Sequence, residues 1–328
     1  MPAAADPGLD GDVSVESDAV AHALGELGDV ALAGAPLGAL TTYRVGGVAE
    51  VLVRPRDADE LARVAAVASA TRLPVLVLGR GSNLLVADAG YRGIVVSLSE
   101  MSAGIDVDRG ERTVRAGGAV LLPVLARRLA AIGLVGFEWA VGVPGSIGGA
   151  VRMNAGGHGS DMAASLVDAT VCDLDTGAVA SVPAADLGLR FRASALGDSS
   201  AVVDARLQLT PGDPVRAKAE LSEIVAWRRA NQPGGQNAGS VFVNPVPGEV
   251  SAGALVDGLG LRGLRIGSAS VSEKHANFIQ ADEGGSADDV RALMDEVRDR
   301  VERGTGYALR SEIRLVGFDD DHDGARRR

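Results

Sequence analysis

Lysine is nearly missing from this chain: Lys218 and Lys274 are the only two. Any clamp for a carboxylate or phosphate must therefore be built mostly from arginine, whose planar fork grips such groups in two places. Cysteine is scarcer still. Cys172 stands alone, which excludes an internal disulfide, and the four histidines (His22, His158, His275, His322) form no Cys/His cluster with ligand spacing, so no metal site is expected. Positive charge is in deficit, with a formal net charge of -11, which argues against nucleic acid or an anionic membrane as partner. No apolar run approaches the ~20 residues of a membrane span, and no basic segment followed by an apolar one opens the chain, so a cytoplasmic location is expected. What is present suffices for large cores: 328 residues at 46% hydrophobic content point to two domains.

Glycine, by contrast, is abundant and clustered. Gly79-Arg80-Gly81-Ser82-Asn83 follows the apolar run 75–78, and Gly142-Val143-Pro144-Gly145-Ser146-Ile147-Gly148-Gly149 precedes Ala150 and Val151. Glycine at that density carries a backbone-entropy penalty that a mere turn does not require; it suggests amides bared toward an anionic ligand. The first segment is not a dinucleotide-fold fingerprint. Leu84 stands where the last glycine belongs, and Leu84-Leu85-Val86 continues as an extended segment instead of opening a helix. A third polar segment, Thr42-Tyr43-Arg44-Val45-Gly46-Gly47, reads by itself as a surface turn.

Along the chain, residues 1–20 and 319–328 lack an apolar period and read as disordered tails. Residues 50–53 read as a strand, and Asp57-Ala58-Asp59-Glu60 as a capping box opening a helix to about Ala70. Short β-branched runs at 75–78, 94–98 and 113–116 read as strands, and 121–132 as a helix stopped by Gly133. Segments 169–173 and 178–182 flank a hairpin turn, and 201–209 is a further strand. The cluster Thr210-Pro211-Gly212-Asp213-Pro214 marks the expected domain boundary. Beyond it the pattern gives a small α+β domain: helices at 215–229, 252–259 and 286–303, strands at 240–243, 264–269, 276–280 and 308–316.

Taken singly, the chemistry-bearing residues are bland. Ser240, in Ala238-Gly239-Ser240-Val241, lacks the far-side glycine of a nucleophile elbow and a nearby His/Asp pair, so an acyl-enzyme role is disfavoured. Arg192, Glu312 and His275 each read as ordinary polar residues, Glu312 on the solvated side of a strand.

In order, however, Thr42 to Gly47, Gly79 to Leu85, Gly142 to Gly157 with Met153-Asn154-Ala155-Gly156, Phe191 to Ser194, Gly239 to Pro245, Ser272 to Phe278 and Glu312 together resemble the UDP-N-acetylenolpyruvoylglucosamine reductases, the MurB family of bacterial peptidoglycan synthesis. The resemblance runs from about Leu37 to Gly317. It implies an α+β chain in which residues 21–212 form an FAD-binding domain of the vanillyl-alcohol-oxidase type, two α/β subdomains split near 100–118. Residues 213–318 would form the smaller substrate domain. It further implies non-covalent FAD, NADPH as reductant, a UDP-sugar substrate and a monomeric enzyme.

Carried over by motif, Ser240 would donate a proton, while Arg192 and Glu312 would hold the substrate carboxylate and stabilise the enolate-like intermediate. Tyr43, Arg44, Gly79, Arg80, Gly81, Ser82, Asn83, Leu84, Gly142, Pro144, Gly145, Ser146, Gly148, Gly149, Asn154, Ala155 and Gly156 would contact FAD. Asn244, Lys274, His275 and Asn277 would contact substrate. The chain departs from the family at Phe191, commonly Tyr, at Val243, commonly Lys or Thr, at Ala254, commonly Lys, and at Gln280-Ala281, commonly Val-Asn. With no tyrosine between Arg192 and Ser240, it resembles the shorter class that lacks a Tyr-bearing closing loop. The alternatives at this stage are a related FAD oxidase or dehydrogenase of another small substrate, and a flavin-binding module without activity.

Overall fold

The computed structural model describes residues 10–101 and 103–318. Helix α1 (Asp10–Leu27) opens the described chain and buries Ala23 and Leu27, so the structureless tail expected to Val20 is helical from Asp10 onward. The weak apolar period of that segment hid it; burial against the next elements, not intrinsic pattern, supports the helix. The rest of that expected tail, and all of 319–328, lie outside the described residues.

Next come β1 (Ala31–Pro36), β2 (Val48–Val53), α2 (Ala58–Thr71), β3 (Val75–Leu78), β4 (Leu84–Val86) and β5 (Tyr91–Ser97). Four of these strands form a sheet in the order β1-β2-β5-β3, antiparallel at β1 and parallel elsewhere. Alternate residues serve two cores. Val51, Val53, Val75, Ile94 and Val96 pack with α1 and α2, while Ala49, Leu52, Leu76, Leu78 and Val95 face the opposite side, the near-continuous apolar run expected of a sheet covered on both faces. Asp57 caps α2 by accepting from the Glu60 amide at 2.9 Å, and the Glu60 carboxylate accepts from the Arg56 amide at 2.7 Å, one residue earlier than in a capping box.

A second, antiparallel sheet is built from β6 (Ile105–Asp108), β7 (Thr113–Gly117), β8 (Leu166–Asp173), β9 (Val179–Pro183) and β10 (Ser200–Gln208) in the order β9-β8-β10-β7-β6. Helices α3 (Leu122–Ala131) and α4 (Ile147–Met153) lie on it. Helix α5 (Pro214–Asn231) packs against α3 and the segment Glu138–Gly142 and buries Ala217, Leu221 and Ile224 in this same core. The boundary read at 212/213 therefore falls one helix early. The Pro/Gly cluster is only the turn that leads into α5, and the last core begins after Asn231.

That core consists of α6 (Ala252–Gly258), the three short strands β11 (Arg265–Ile266), β12 (Ala269–Val271) and β13 (Ile279–Ala281), and α7 (Ala287–Thr305). In α7, Val290, Leu293, Met294, Val297 and Val301 make one buried stripe at helical spacing. Residues 240–243, expected as a strand, form only an isolated bridge between Phe242 and Ser311. The last strand, β14 (Arg314–Val316), is much shorter than the expected 308–316 and leaves its own domain: it pairs in parallel with β4, placing Arg314 opposite Leu84.

Candidate active site

The β4–β14 ladder sets up the site, because it draws the loop before β4 and the residues before β14 together. The Arg314 amide donates to the Asn83 carbonyl at 2.9 Å, and Asn83 Nδ2 donates to the Glu312 carbonyl at 3.1 Å. The Glu312 amide in turn donates to the Val241 carbonyl at 2.7 Å, which seats Ser240 beside the glutamate. Asn277 fixes the same loop from behind. Its Nδ2 donates to the Phe242 carbonyl at 2.8 Å and its Oδ1 accepts from the Phe242 amide at 3.0 Å.

Arg192 arrives from the second sheet. It sits at the tip of a tight turn closed by paired backbone bonds between Arg190 and Ala193, with φ 52, a left-handed conformation that a non-glycine residue holds only where its surroundings enforce it. Its Nε donates to Glu312 Oε1 at 2.8 Å and its Nη2 to the Gly156 carbonyl at 2.8 Å, leaving Nη1 for a ligand. Burial pushes the Glu312 carboxyl above the usual carboxylate range, with Arg192 pulling only partly the other way.

These groups open on one cavity of ≈ 750 Å³ lined by both glycine segments, Ser240, Arg192 and Glu312. Of the sequence-predicted contacts, Gly79, Arg80, Gly81, Ser82, Asn83, Leu84, Pro144, Gly145, Ser146, Gly149, Ala155 and Gly156 line it. A second cavity of ≈ 290 Å³ lies between the two sheets and shares Gly79, Arg80, Ser146 and Gly149 with the first; Gly148 lines this one. The remaining predicted contacts line neither. Tyr43 is fully buried in the last core, Asn154 is buried and bonded to Asp161 and to the Arg190 carbonyl, and Gly142 packs where an added Cβ would meet Arg228 Cδ at 2.9 Å. Arg44 faces a third cavity.

The four expected substrate contacts are likewise elsewhere. Asn244 Oδ1 accepts from the Ala252 amide, Lys274 Nζ donates to the Arg229 carbonyl, His275 Nδ1 accepts from the Asn277 amide, and Asn277 holds the Phe242 backbone. Of the four, Asn277 holds the loop that carries Ser240, and none of them is among the residues lining the first cavity.

Several lining residues escaped sequence reasoning. Arg228 and Gln232 reach the wall from the end of α5, and Arg152 and Arg314 converge on Asp198, at 3.0 Å and 2.7 Å. Burial lowers the pKa of Arg228. A single polar residue outside any motif carries no sequence signal, so only the fold could have found these.

The donor set suits a flavin dinucleotide. Gly149 would have room for a side chain, its nearest protein neighbour being Ser146 Oγ at 3.7 Å, and Gly157 has nothing within 4 Å, so packing does not require glycine there and the vacant volume belongs to the cavity. Buried Thr42 Oγ1 and Gln232 Oε1, both on lining residues, have no protein partner. Gly81 is different: its φ of +59 and an added Cβ 2.5 Å from the Leu40 carbonyl make it a demand of the fold.

Comparison with known proteins accords with this geometry. The profile of the FAD binding domain matches residues 49–182, and that of the UDP-N-acetylenolpyruvoylglucosamine reductase C-terminal domain matches residues 231–316. The chain is 43% identical over 287 residues to the UDP-N-acetylenolpyruvoylglucosamine reductase of Gloeobacter violaceus, covering 87% of this chain and 95% of that one. It is 43% identical to UDP-N-acetylenolpyruvoylglucosamine reductase 2 of Symbiobacterium thermophilum over 284 residues, 86% of this chain and 91% of that one. The crystal structure of UDP-N-acetylenolpyruvylglucosamine reductase (MurB) from Thermus caldophilus superposes with a TM-score of 0.74 at 32% identity, covering 87% of this chain and 98% of that one.

Proposed function

Because this chain belongs to the UDP-N-acetylenolpyruvoylglucosamine reductase family, an FAD-containing, NADPH-dependent oxidoreductase of peptidoglycan synthesis, we propose specific roles for its own residues in reducing the enolpyruvyl ether of the UDP-sugar. The carrying observation is that Ser240, Arg192 and Glu312 share one cavity with both glycine segments. Bound FAD supplies the hydride, which it receives from NADPH. The amides and side chains of 79–83 and 145–149 would hold the flavin dinucleotide, and Thr42 and Gln232 would offer it their unpartnered oxygens.

Hydride arrival at carbon 3 of the enolpyruvyl group leaves an electron pair on carbon 2 that spreads into the carboxylate. Arg192 Nη1, left free by the bonds to Glu312 and the Gly156 carbonyl, would meet that developing charge, where a preorganised cation has most effect. Glu312 and the Gly156 carbonyl fix the guanidinium so that it needs no reorientation. The Ser240 hydroxyl then gives its proton to carbon 2 and recovers one from water, completing the addition of two hydrogens across the double bond. Serine is a weak acid, so this step relies on a strongly basic carbanion held at hydrogen-bond distance.

Phe191 lies under the Arg192 guanidinium, 5.0 Å from Cζ to ring centroid, and offers a cation–π contact where the family commonly has a tyrosine. We further infer a monomeric cytoplasmic enzyme that binds neither nucleic acid nor membrane: the net charge is -11, and among the described residues no helix is long and apolar enough to cross a bilayer. The test of the whole reading is anaerobic. Protein reduced by NADPH and mixed with the enolpyruvyl UDP-sugar must reoxidise its flavin, and failure to do so rejects the assignment.

A further inference from the structure

Residues 232–239 run as a strap from the end of α5 to Ser240. Both ends are anchored. Lys274 Nζ donates to the Arg229 carbonyl at 2.6 Å, and beyond Ser240 the Val241 amide donates to the Asn277 carbonyl at 2.8 Å. Between these anchors the strap has a cavity on either side: Gln232, Pro233, Gly234, Asn237, Ala238 and Gly239 line the first cavity, and Gly235 and Gln236 line the third, of ≈ 740 Å³. Packing therefore holds it little, Ala238 being its one buried residue. Among the described residues, two hydrogen bonds tie its middle to the last domain, both from β13, the edge strand of its sheet. The Ala281 amide donates to the Gln236 carbonyl at 3.0 Å, and Gln280 Nε2 donates to the Gly234 carbonyl at 2.8 Å.

Inside the strap, Asn237 Nδ2 donates to the Gly234 and Gly235 carbonyls, each at 3.2 Å, and Asn237 Oδ1 accepts from the Gly239 amide at 3.1 Å. That brace lets 234–239 move as one piece. Gln236 Oε1 is buried without a partner, which penalises the shut position and is relieved by water on opening. A segment with little buried apolar surface, held by a few partly exposed hydrogen bonds, is where a fold opens most readily. On the reductase reading, we propose that this strap is the gate on the Ser240 side of the first cavity and that Gln280 is its latch. The chain resembles the class without a Tyr-bearing closing loop, and the segment ahead of Ser240 supplies closure in its place. The latch is this chain's own, because the valine common in the family at this position has no side-chain donor. Gln280 lines none of the three cavities, so its bond counts equally with the site empty or filled. Its loss speeds the entry and the departure of the UDP-sugar alike and leaves affinity unmoved.

The test compares FAD-loaded wild type with Gln280→Met, which keeps the side chain's length without its donor, and Gln280→Lys, which restores a donor. Hydrogen exchange at the Ala281 amide reads the gate directly, since that amide is bonded to the strap. Stopped-flow mixing of the enolpyruvyl UDP-sugar with oxidised enzyme, without NADPH, reads its effect on the ligand. In Gln280→Met, exchange at Ala281 and both binding rates should rise by about threefold to tenfold, as for loss of one hydrogen bond, with Kd unmoved and exchange at 314–316 unchanged. Gln280→Lys should bring all three back toward wild type. Unchanged exchange at Ala281 overturns the proposal. So does a rise shared with 314–316, which would mean general loosening, or weaker binding at an unmoved entry rate, which would make Gln280 a static brace. Failure of the family reaction appears separately, as a wild-type enzyme whose flavin the UDP-sugar cannot reoxidise, and exchange at Ala281 still decides the gate.

Discussion

Each reacting group has its own half of the cycle, which makes the residue assignments separable. Replacing Ser240 by alanine removes one hydroxyl from the cavity wall. Flavin reduction by NADPH should persist, while turnover with the enolpyruvyl substrate falls by about 10²–10⁴-fold, as for loss of a general acid; normal turnover would dismiss Ser240 as the donor. Glu312 sets activity against stability. Because burial raises its folded pKa, its favourable contribution to folding is present at low pH and lost as pH rises through that value, so at neutral pH the buried carboxylate is held at the fold's expense. Glu312→Gln should therefore melt higher than wild type near pH 7, the difference shrinking on acidification, while its oxidative half-reaction slows. In the wild type, the acid limb of that half-reaction should lie above the ordinary carboxylate range, and a pH–rate profile checks this. Neither behaviour was readable in the sequence. Glu312 lies just ahead of a strand and looked solvated because alternation alone cannot register a partner 120 residues away, Arg192.

At the scale of elements, local chemistry was legible and long-range pairing was not. The strand at 75–78, the helix stopped near Gly133 and the extended run after Asn83 all follow from runs, caps and turn residues within reach of one another. The helix at Asp10–Leu27, the packing of α5 against α3 and the β4–β14 ladder depend on partners that no local window contains. The glycines divide in the same way. Density marked both segments, but only the fold separates Gly81, required by a close backbone approach, from Gly149, which faces open volume inside α4. Gly149→Ala should leave the fold as stable or gain up to about 1 kcal/mol from the better helix former, yet weaken FAD binding because the methyl enters the cavity. Thermal melting without flavin and a flavin titration read the two effects; equal FAD affinity would remove Gly149 from the cofactor wall.

For the whole molecule, Asp198 joins parts that the chain keeps far apart, accepting from Arg152 at the end of α4 and from Arg314 at the start of β14. Burial raises its pKa, and the hydrogen bonds and charges of Arg314 and Arg152 more than reverse that, so it lies below the usual aspartate value. Its contribution is thus complete at neutral pH and lost as pH falls through the lowered value, opposite in sense to Glu312. Asp198→Asn should destabilise by about 1 kcal/mol, given its partial exposure, or about 2–4 °C in Tm, and speed hydrogen exchange at 314–316. Wild-type exchange rates there would dissolve the link. The parallel pairing of β4 with β14 has a temporal meaning as well. During synthesis the ribosome releases both sheets before the segment carrying Glu312 emerges, so the 79–83 loop receives its last backbone partner and its acid–base neighbours together. Competence for the reaction would then begin abruptly, with the docking of three residues.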